Sequence, residues 1–438
     1  MKVAFSTLGC RVNQYESEAM AEKFIREGYE VVDFSEIADV YVINTCTVTN
    51  MGDKKSRQII SKARRLNNNA IIAVVGCYSQ MAPKEVSEIE GVDVVLGTRN
   101  KGDVVYYVNK ARDEEKVQVH VEGVLKNKKF EDLNIEEYQD KTRAFLKIQD
   151  GCNRFCTYCA IPYARGSVCS KEPRKVIDEV KKLASHGFKE VILSGIHTAS
   201  YGLDLDGNIT LIDLIEDIEK IHGIERVRIG SIEPAFFTNE VIEKIKGFKK
   251  LCPHFHLSLQ SGCNTVLKRM NRRYTAEEYE HIVNILRDNI KDVSISTDVI
   301  VGFPGETEEE FNETYEFLKR IKLTKTHIFK YSPRKGTRAA EMKGQLDGKI
   351  KEERSKALIA LNDINEENFI KKYINKNVKV LLEQEVKGKE NIFEGYTENY
   401  IKVQVEKPEN IKSGDIIECR IEKAHKDVFN ILLQILDD

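Results

Sequence analysis

Cys152-Asn153-Arg154-Phe155-Cys156-Thr157-Tyr158-Cys159 is the stretch on which the reading of this chain turns. Its three cysteines fall at spacings of four and three, with an aromatic residue between each pair. Thiolates so spaced, on a loop that wraps back on itself, can hold one iron–sulfur cluster or a zinc ion. Zinc wants a fourth ligand close by, and the next cysteine is Cys169, ten residues on. A 4Fe–4S cluster held by three thiolates leaves one iron open to bind substrate. Three cysteines among eight mostly polar residues do not read as core.

Around this stretch, residues 142 to about 345 alternate strand and helix. Six strands are expected at Ala144–Gln149, Glu190–Gly195, Arg226–Ser231, Phe255–Leu259, Val293–Ile300 and Thr326–Lys330. Helices such as Pro173–His186, Leu211–Ile221 and Ala276–Asn289 separate them. Six βα units make an open, partial TIM barrel whose chemistry sits at the C-terminal strand ends.

C-x-x-x-C-x-x-C is the signature of radical S-adenosylmethionine (SAM) enzymes. The longer string IQDGCNRFCTYCAIPYARG, Ile148 to Gly166, resembles the methylthiotransferases within that superfamily. The resemblance implies a 4Fe–4S cluster on Cys152, Cys156 and Cys159, whose open iron binds SAM and whose reduced form cleaves it to a 5′-deoxyadenosyl radical. It also implies SAM contacts at Tyr158 and at the strand ends: Gly195, Ser231, Glu233, His256, Ser258, Gln260 and Gly302. Leu193-Ser194-Gly195-Ile196-His197 lacks the acid that the superfamily often carries there, as is usual in methylthiotransferases. Ser231-Ile232-Glu233-Pro234 resembles the family's SIEP string, and its acid also suits a helix N-terminus. By strand alternation His256, Ser258 and Gln260 share one polar face, expected to look into the barrel. Gly302 lets backbone approach a ligand closely. Thr307, with Glu308–Glu310 behind it, reads as a helix cap.

Residues 1–112 also alternate strand and helix, as in a small doubly wound sheet. Cys10, Cys46 and Cys77 each follow an expected strand, at Lys2–Thr7, Val40–Asn44 and Ala70–Val75. Ligand sites on such sheets gather outside the carboxyl ends of the strands, so the three thiols are expected to converge on a second three-thiolate site. TLGCRVNQYESEAM, NTCTVTN and GCYSQ resemble the amino-terminal methylthiotransferase domain, which implies a second 4Fe–4S cluster that brings in sulfur.

Residues 113–141 read as a charged linker with a strand near Val117–Val121. The radical core is expected over 142–373. It ends on a long amphipathic helix, Lys349–Tyr373, apolar at Ile350, Ala357, Leu358, Leu361 and Ile364. In 374–438, short strands at Val378–Glu383, Ile392–Tyr396, Tyr400–Val405, Asp415–Ala424 and Asn430–Gln434 suggest a small OB-like β-barrel. FEGYTENYIKVQVE resembles a TRAM domain, an RNA-binding module. The fold class is thus α/β in three parts, with a small β-barrel at the C-terminus.

The 438 residues carry a net charge of −2, so any nucleic-acid surface must be a local patch. Lys268–Tyr274 and Lys330–Arg338 are such patches, with Arg272, Arg273, Arg334 and Arg338 as candidate RNA contacts. Ten cysteines without an export signal, and no long apolar run, fit a reducing cytosol where thiols stay free for metal. No role attaches to Cys169, Cys252, Cys263 or Cys419.

GCRVNQYE and GCYSQ look most like the threonylcarbamoyladenosine tRNA methylthiotransferases. The resemblance implies methylthiolation of C2 of N6-threonylcarbamoyladenosine beside the tRNA anticodon. Alternatives are isopentenyladenosine in tRNA and an aspartate of a ribosomal protein. The implied partners are tRNA, an electron donor such as flavodoxin or ferredoxin, and a sulfur source, with no membrane. Outside this class stand an electron-carrying iron–sulfur protein and an RNA-binding module with structural clusters.

Overall fold

A computed structural model describes residues 1–125, 129–135, 142–406 and 411–422, and the backbone of 430–431. The N-terminal sheet contains β1 (Lys2–Thr7), β2 (Glu30–Val32), β3 (Val40–Thr45), β4 (Ile71–Gly76), β5 (Val94–Leu96) and β6 (Gln118–His120). Its order is β2-β1-β3-β4-β5-β6, parallel throughout. Helices cover both faces, so β3 is buried along its whole length, as a strand sandwiched between two apolar layers must be. β1, β3 and β4 are neighbours, which sets the ends that carry Cys10, Cys46 and Cys77 side by side.

The charged segment after residue 112 differs from the linker expected of it. β6 is the strand expected near Val117–Val121, and it becomes the last strand of the N-terminal sheet. Leu133 and Ile135 are buried in the same core as Tyr15, Ala19 and Leu146. The segment seals the seam between sheet and barrel, so its few apolar residues are more decisive than its charges. Residues 126–128 and 136–141 of the expected linker lie outside the described residues.

The barrel strands are β7 (Arg143–Lys147), then β10 (Glu190–Ser194), β11 (Arg226–Ile229), β12 (His254–His256), β13 (Ser294–Val301) and β14 (Lys325–Lys330). Between the first two, the short β8 (Gln149–Asp150) and β9 (Cys169–Ser170) pair antiparallel. Order β11-β10-β7 and order β12-β13-β14 are each parallel. Parallel bridges Val227–Leu251 and Ile232–Leu257 join the two halves into one open barrel of six strands. Ala144, Leu146, Val191, Leu193, Val227, Phe255 and Ile295 pack against the outer helices. Alternation then turns Phe145, Lys147, Ser194, Arg228, His256, Ser296 and Asp298 inward. The interior is therefore polar, as expected for the His256 face.

The helix Gly348–Lys371 starts on Asp347, whose side chain accepts from the Lys349 N–H at 2.7 Å. It buries Leu358, Leu361 and Ile370, whereas Ile350 and Ile364 are exposed, contrary to the expected stripe. That stripe covers only part of a 24-residue helix that meets the barrel along one segment and the C-terminal domain along another.

The C-terminal part is a five-stranded sheet: β15 (Asn377–Glu385), β16 (Ile392–Thr397), β17 (Lys402–Glu406), β18 (Ile416–Arg420) and β19 (Asn430–Ile431), in the order β18-β15-β16-β17-β19. Ala424 and the expected strand beyond Ile431 lie outside the described residues. The β16–β17 turn plugs the N-terminal mouth of the barrel. There Arg226 and Arg228 donate to the carbonyls of Tyr396, Thr397 and Glu398 at 2.7–3.0 Å, and Tyr400 stacks on His254 at 4.6 Å. No described helix is long and apolar enough to cross a membrane.

Candidate active site

The β8–β9 pairing closes residues 151–168 into a loop over the C-terminal end of the barrel. Gly151 sits at φ +72°, where a Cβ would lie 2.0 Å from the Ser167 carbonyl oxygen, so only glycine lets the two arms of the loop cross. The Cys152 N–H donates to Gly166 O at 3.0 Å, and the Cys159 N–H to Cys156 O at 3.0 Å. Thr157 anchors the loop to the barrel, its N–H on Met270 O at 3.1 Å and its carbonyl taking the Ala339 N–H at 2.8 Å.

Two N–H donors reach the thiols, one from a guanidinium and one from the backbone. The Arg272 guanidinium donates to Cys156 Sγ at 3.3 Å, and the backbone N–H of Arg154 reaches Cys152 Sγ at 3.5 Å. Burial, and then the neighbouring Cys156 sulfur, pushes the Cys159 thiol up to about 12; burial is also the main cause of Cys152 rising to about 11. Bare thiolates are therefore disfavoured here. A cluster that takes up their charge, with N–H donors to its sulfurs, fits this donor set.

The second trio sits where β1, β3 and β4 end. Cys10 opens the helix Arg11–Arg26, Cys46 follows β3, and Cys77 follows β4 directly. A Cβ on Gly9 would lie 2.8 Å from the Cys46 Cβ, and one on Gly76 2.6 Å from Asn44 Oδ1; both glycines have φ near +100°. Small residues before Cys10 and Cys77 thus let the three loops close together. Burial, then Cys77 and Cys10, pushes the Cys46 thiol up to about 11, so the three sulfurs feel one another, and this donor set also suits a cluster.

Asn13 ties these loops together, donating to Leu8 O at 2.6 Å and Thr45 O at 2.9 Å. Its side-chain oxygen accepts from Arg165, which follows the radical-site cysteines in sequence. Arg165 also donates to Glu16 at 2.9 Å and Asp150 at 3.1 Å, all fully buried. Lys147 bridges the same two acids at 2.7 Å each, and Lys101 pairs with Glu16. Burial alone would raise both acids, but Arg165 with its neighbouring cations holds them well below the usual carboxylate range. A buried network of opposite charges of this kind locks one relative placement of the two cysteine loops.

Beside Cys10, inside the barrel, lies a cavity of about 250 Å³. Cys10 and Arg11 enter it from the sheet, Gly195 and Ser231 from the barrel's strand ends, and His256 and Tyr400 from below.

The Radical SAM superfamily matches residues 146–318, and the family described as Uncharacterized protein family UPF0004 matches residues 2–97. The threonylcarbamoyladenosine tRNA methylthiotransferase MtaB of Bacillus subtilis (strain 168) is 45% identical over 96% of this chain and 94% of its own. The chain belongs to the radical SAM methylthiotransferases. MtaB of Aquifex aeolicus is 44% identical over 93% of this methylthiotransferase and 97% of its own length. The tRNA-2-methylthio-N(6)-dimethylallyladenosine synthase of Clostridium tetani is 37% identical over 95% and 93%. In fold the methylthiotransferase is similar to the radical SAM methyltransferase TsrM of Kitasatospora setae, with TM-score 0.60, 16% identity and 77% of each chain covered.

The remaining sequence candidates divide in this methylthiotransferase. Tyr158 packs beside Arg272 and the cluster loop. Glu233 binds Arg154 at 2.6 Å, His197 at 3.1 Å and Arg272 at 3.4 Å, so its carboxylate is already enclosed by two guanidinium groups and an imidazole. His256 holds Ser296 Oγ with Nδ1 at 2.9 Å and Asp298 with Nε2 at 3.2 Å. Gln260 has φ +75° and bridges to Val299 through its backbone, and the Ser258 carbonyl accepts from Tyr274. Gly302, at φ +72°, donates its N–H to Glu306 at 2.7 Å.

Of the expected RNA contacts, Arg273 and Arg338 are exposed. Arg272 and Arg334 differ from expectation. Arg272 reaches from the barrel to Cys156 Sγ, and Arg334 crosses to the N-terminal domain to hold Thr47, Asn50 and Asp53 at 2.6 Å. Each is drawn inward by a largely buried carboxylate, Glu233 for Arg272 and Asp53 for Arg334. Sequence reasoning missed Arg154, Asn13 and Arg165. The available signal was a polar or charged residue inside or just behind a cysteine loop. Cys169 accepts from Arg99 at 2.8 Å, and Cys252, Cys263 and Cys419 are buried too.

Proposed function

We propose that this methylthiotransferase replaces the C2 hydrogen of N6-threonylcarbamoyladenosine, beside the anticodon of tRNA, with a methylthio group. One observation carries the reading: Cys10 of the N-terminal trio and the barrel strand ends at Gly195 and Ser231 line a single chamber. Its cofactors are SAM and 4Fe–4S clusters. Cys152, Cys156 and Cys159 would hold one cluster, and Cys10, Cys46 and Cys77 the other. SAM on the first supplies a radical able to remove an unactivated hydrogen, and a methyl group for sulfur. C2–H is not acidic, so no side chain in the chamber is asked to act as its base.

The chain's own residues position. Tyr158, Gly195, Ser231, His256, Ser258, Gln260 and Gly302 form the proposed SAM surface. Glu233 fixes Arg154, His197 and Arg272 around the cluster loop. Asn13, Arg165 and Glu16 hold the two cysteine loops in one frame. The target base has to leave its loop stack to enter the chamber. Arg273 and Arg338 are the rim cations proposed for phosphates, and the C-terminal sheet, as a TRAM domain, for a further RNA surface. A cytosolic setting, with a low-potential donor such as flavodoxin or ferredoxin and a sulfur source, completes the reading.

The test is mass spectrometry of tRNA nucleosides from cells with and without the gene. Loss of 2-methylthio-N6-threonylcarbamoyladenosine, with the unmethylthiolated nucleoside accumulating, is expected. Loss of the methylthio isopentenyl nucleoside instead overturns the substrate assignment.

A further inference from the structure

The proposed substrate differs from an isopentenyl adenosine in one charged group, the carboxylate of its threonyl arm. A buried carboxylate needs a cation and hydrogen-bond donors, so the chamber has to supply both. Two guanidinium groups line it, Arg11 and Arg228. Arg228 is already committed. It donates to Glu190 at 2.7 Å and to the Thr397 and Glu398 carbonyls at 2.7 and 2.8 Å, from a site only 2% exposed.

Arg11 differs. Its guanidinium lies 4.5 Å from the centre of the Phe145 ring, on the inner wall of the barrel. Its one hydrogen bond is to Gln14 Oε1 at 3.2 Å, and among the described residues no carboxylate pairs with it. Arg11 is exposed, and the cation–π contact with Phe145 holds its guanidinium beside the chamber while leaving N–H donors free for bidentate carboxylate recognition. Arg11 is also the residue next to Cys10, and the helix Arg11–Arg26 starts from it. A carboxylate on Arg11 therefore orients the adenine from the side of the N-terminal trio.

We propose that Arg11, stacked on Phe145, is the subsite for the threonyl carboxylate and discriminates this substrate from adenosines with an uncharged arm. The proposal rests on the functional reading above. The opposite wall carries the other plausible donors, His254, His256 and His327, in a second cavity of about 320 Å³ that continues below His256.

A cycle that changes protein and substrate separately tests it. The ligands are an anticodon stem-loop RNA carrying N6-threonylcarbamoyladenosine and the same RNA with the threonyl carboxyl converted to its primary amide. Dissociation constants and kcat/KM are measured on the cluster-loaded enzyme, wild type and Arg11→Gln, with iron content and cluster EPR checked for both. Wild type should bind the acid on the order of 10- to 100-fold more tightly than the amide, as expected for a charge-assisted pair. Arg11→Gln should bring the two within about 3-fold while keeping its iron; Arg11→Lys should recover part of the gap. An undiminished acid preference in Arg11→Gln, or none in wild type, overturns the proposal; the first outcome moves the carboxylate to the histidine wall. The binding measurement decides this even if Arg11→Gln is inactive. Failure of wild type to methylthiolate the acid RNA is a separate result, against the functional reading.

Discussion

Arg165 and Glu16 meet at 2.9 Å in the seam between barrel and sheet, and solvent reaches neither side chain. One belongs to the loop behind Cys159, the other to the helix that starts after Cys10. Their contact joins two cysteine trios that lie in different domains.

Glu16→Gln removes the acid on which Arg165, Lys101 and Lys147 converge. Breaking a buried pair from one side costs about 3–5 kcal/mol, because the partners stay buried and uncompensated. Denaturant unfolding of the anaerobic holoenzyme should show that loss. A change below about 1 kcal/mol would mean that the network does not hold the seam.

The same acids make stability depend on pH. Glu16 and Asp150 titrate below their unfolded values in the folded state. Their contribution is complete above the unfolded value, about pH 4, and is lost as pH falls through the lower folded values. The deficit of Glu16→Gln against wild type should therefore be full at about pH 7 and shrink below about pH 4. A deficit that stays constant down to about pH 3 contradicts this assignment.

Triple alanine variants separate the trios. Replacing Cys152, Cys156 and Cys159 should halve the iron and abolish 5′-deoxyadenosine formation. Replacing Cys10, Cys46 and Cys77 should also halve the iron and retain some SAM cleavage, but give no methylthio product. Full iron in either variant sinks the ligand assignment. Methylthiolated RNA from the second sinks the sulfur role.

Exposed and buried arginines should behave differently towards RNA. Log affinity falls with log salt by about 0.7–0.9 per phosphate neutralised, so Arg273→Ala or Arg338→Ala should each reduce the slope by roughly one. Arg334→Ala should leave the slope unchanged and instead destabilise the chain by about 1–3 kcal/mol, since Asp53 loses its guanidinium. Equal slopes for wild type, Arg273→Ala and Arg338→Ala would remove the rim from the RNA surface.

Truncation before Asn375 removes the turn that plugs the barrel. Arg226 and Arg228 then lose five carbonyl-directed or stacking contacts, those with Lys379, Tyr396, Thr397, Glu398 and Tyr400. Stability should fall by at least about 3 kcal/mol. A truncated holoenzyme that melts at the wild-type temperature shows that the plug is dispensable.

The sequence by itself determined the elements and the two cysteine trios. Strand and helix follow from local apolar periodicity, and each cysteine lies within a few residues of a strand end, so position along the chain was enough to place Cys10, Cys46 and Cys77 together. The six barrel strands were legible for the same reason. What only the tertiary structure decided is which charges turn inward. Arg272 and Arg334 stand in basic runs that read as surface, yet Glu233 and Asp53 draw them in. Arg165 and Glu16 are 149 residues apart and carry no shared pattern. The apparent linker carries the strand expected near Val117–Val121, but it also buries Leu133 and Ile135 because the seam between two docked domains needs covering, a need that exists only after docking. Periodicity reports which face of one element avoids water. The partner of a buried charge depends on the field of several elements at once, and that field has no local trace in the chain.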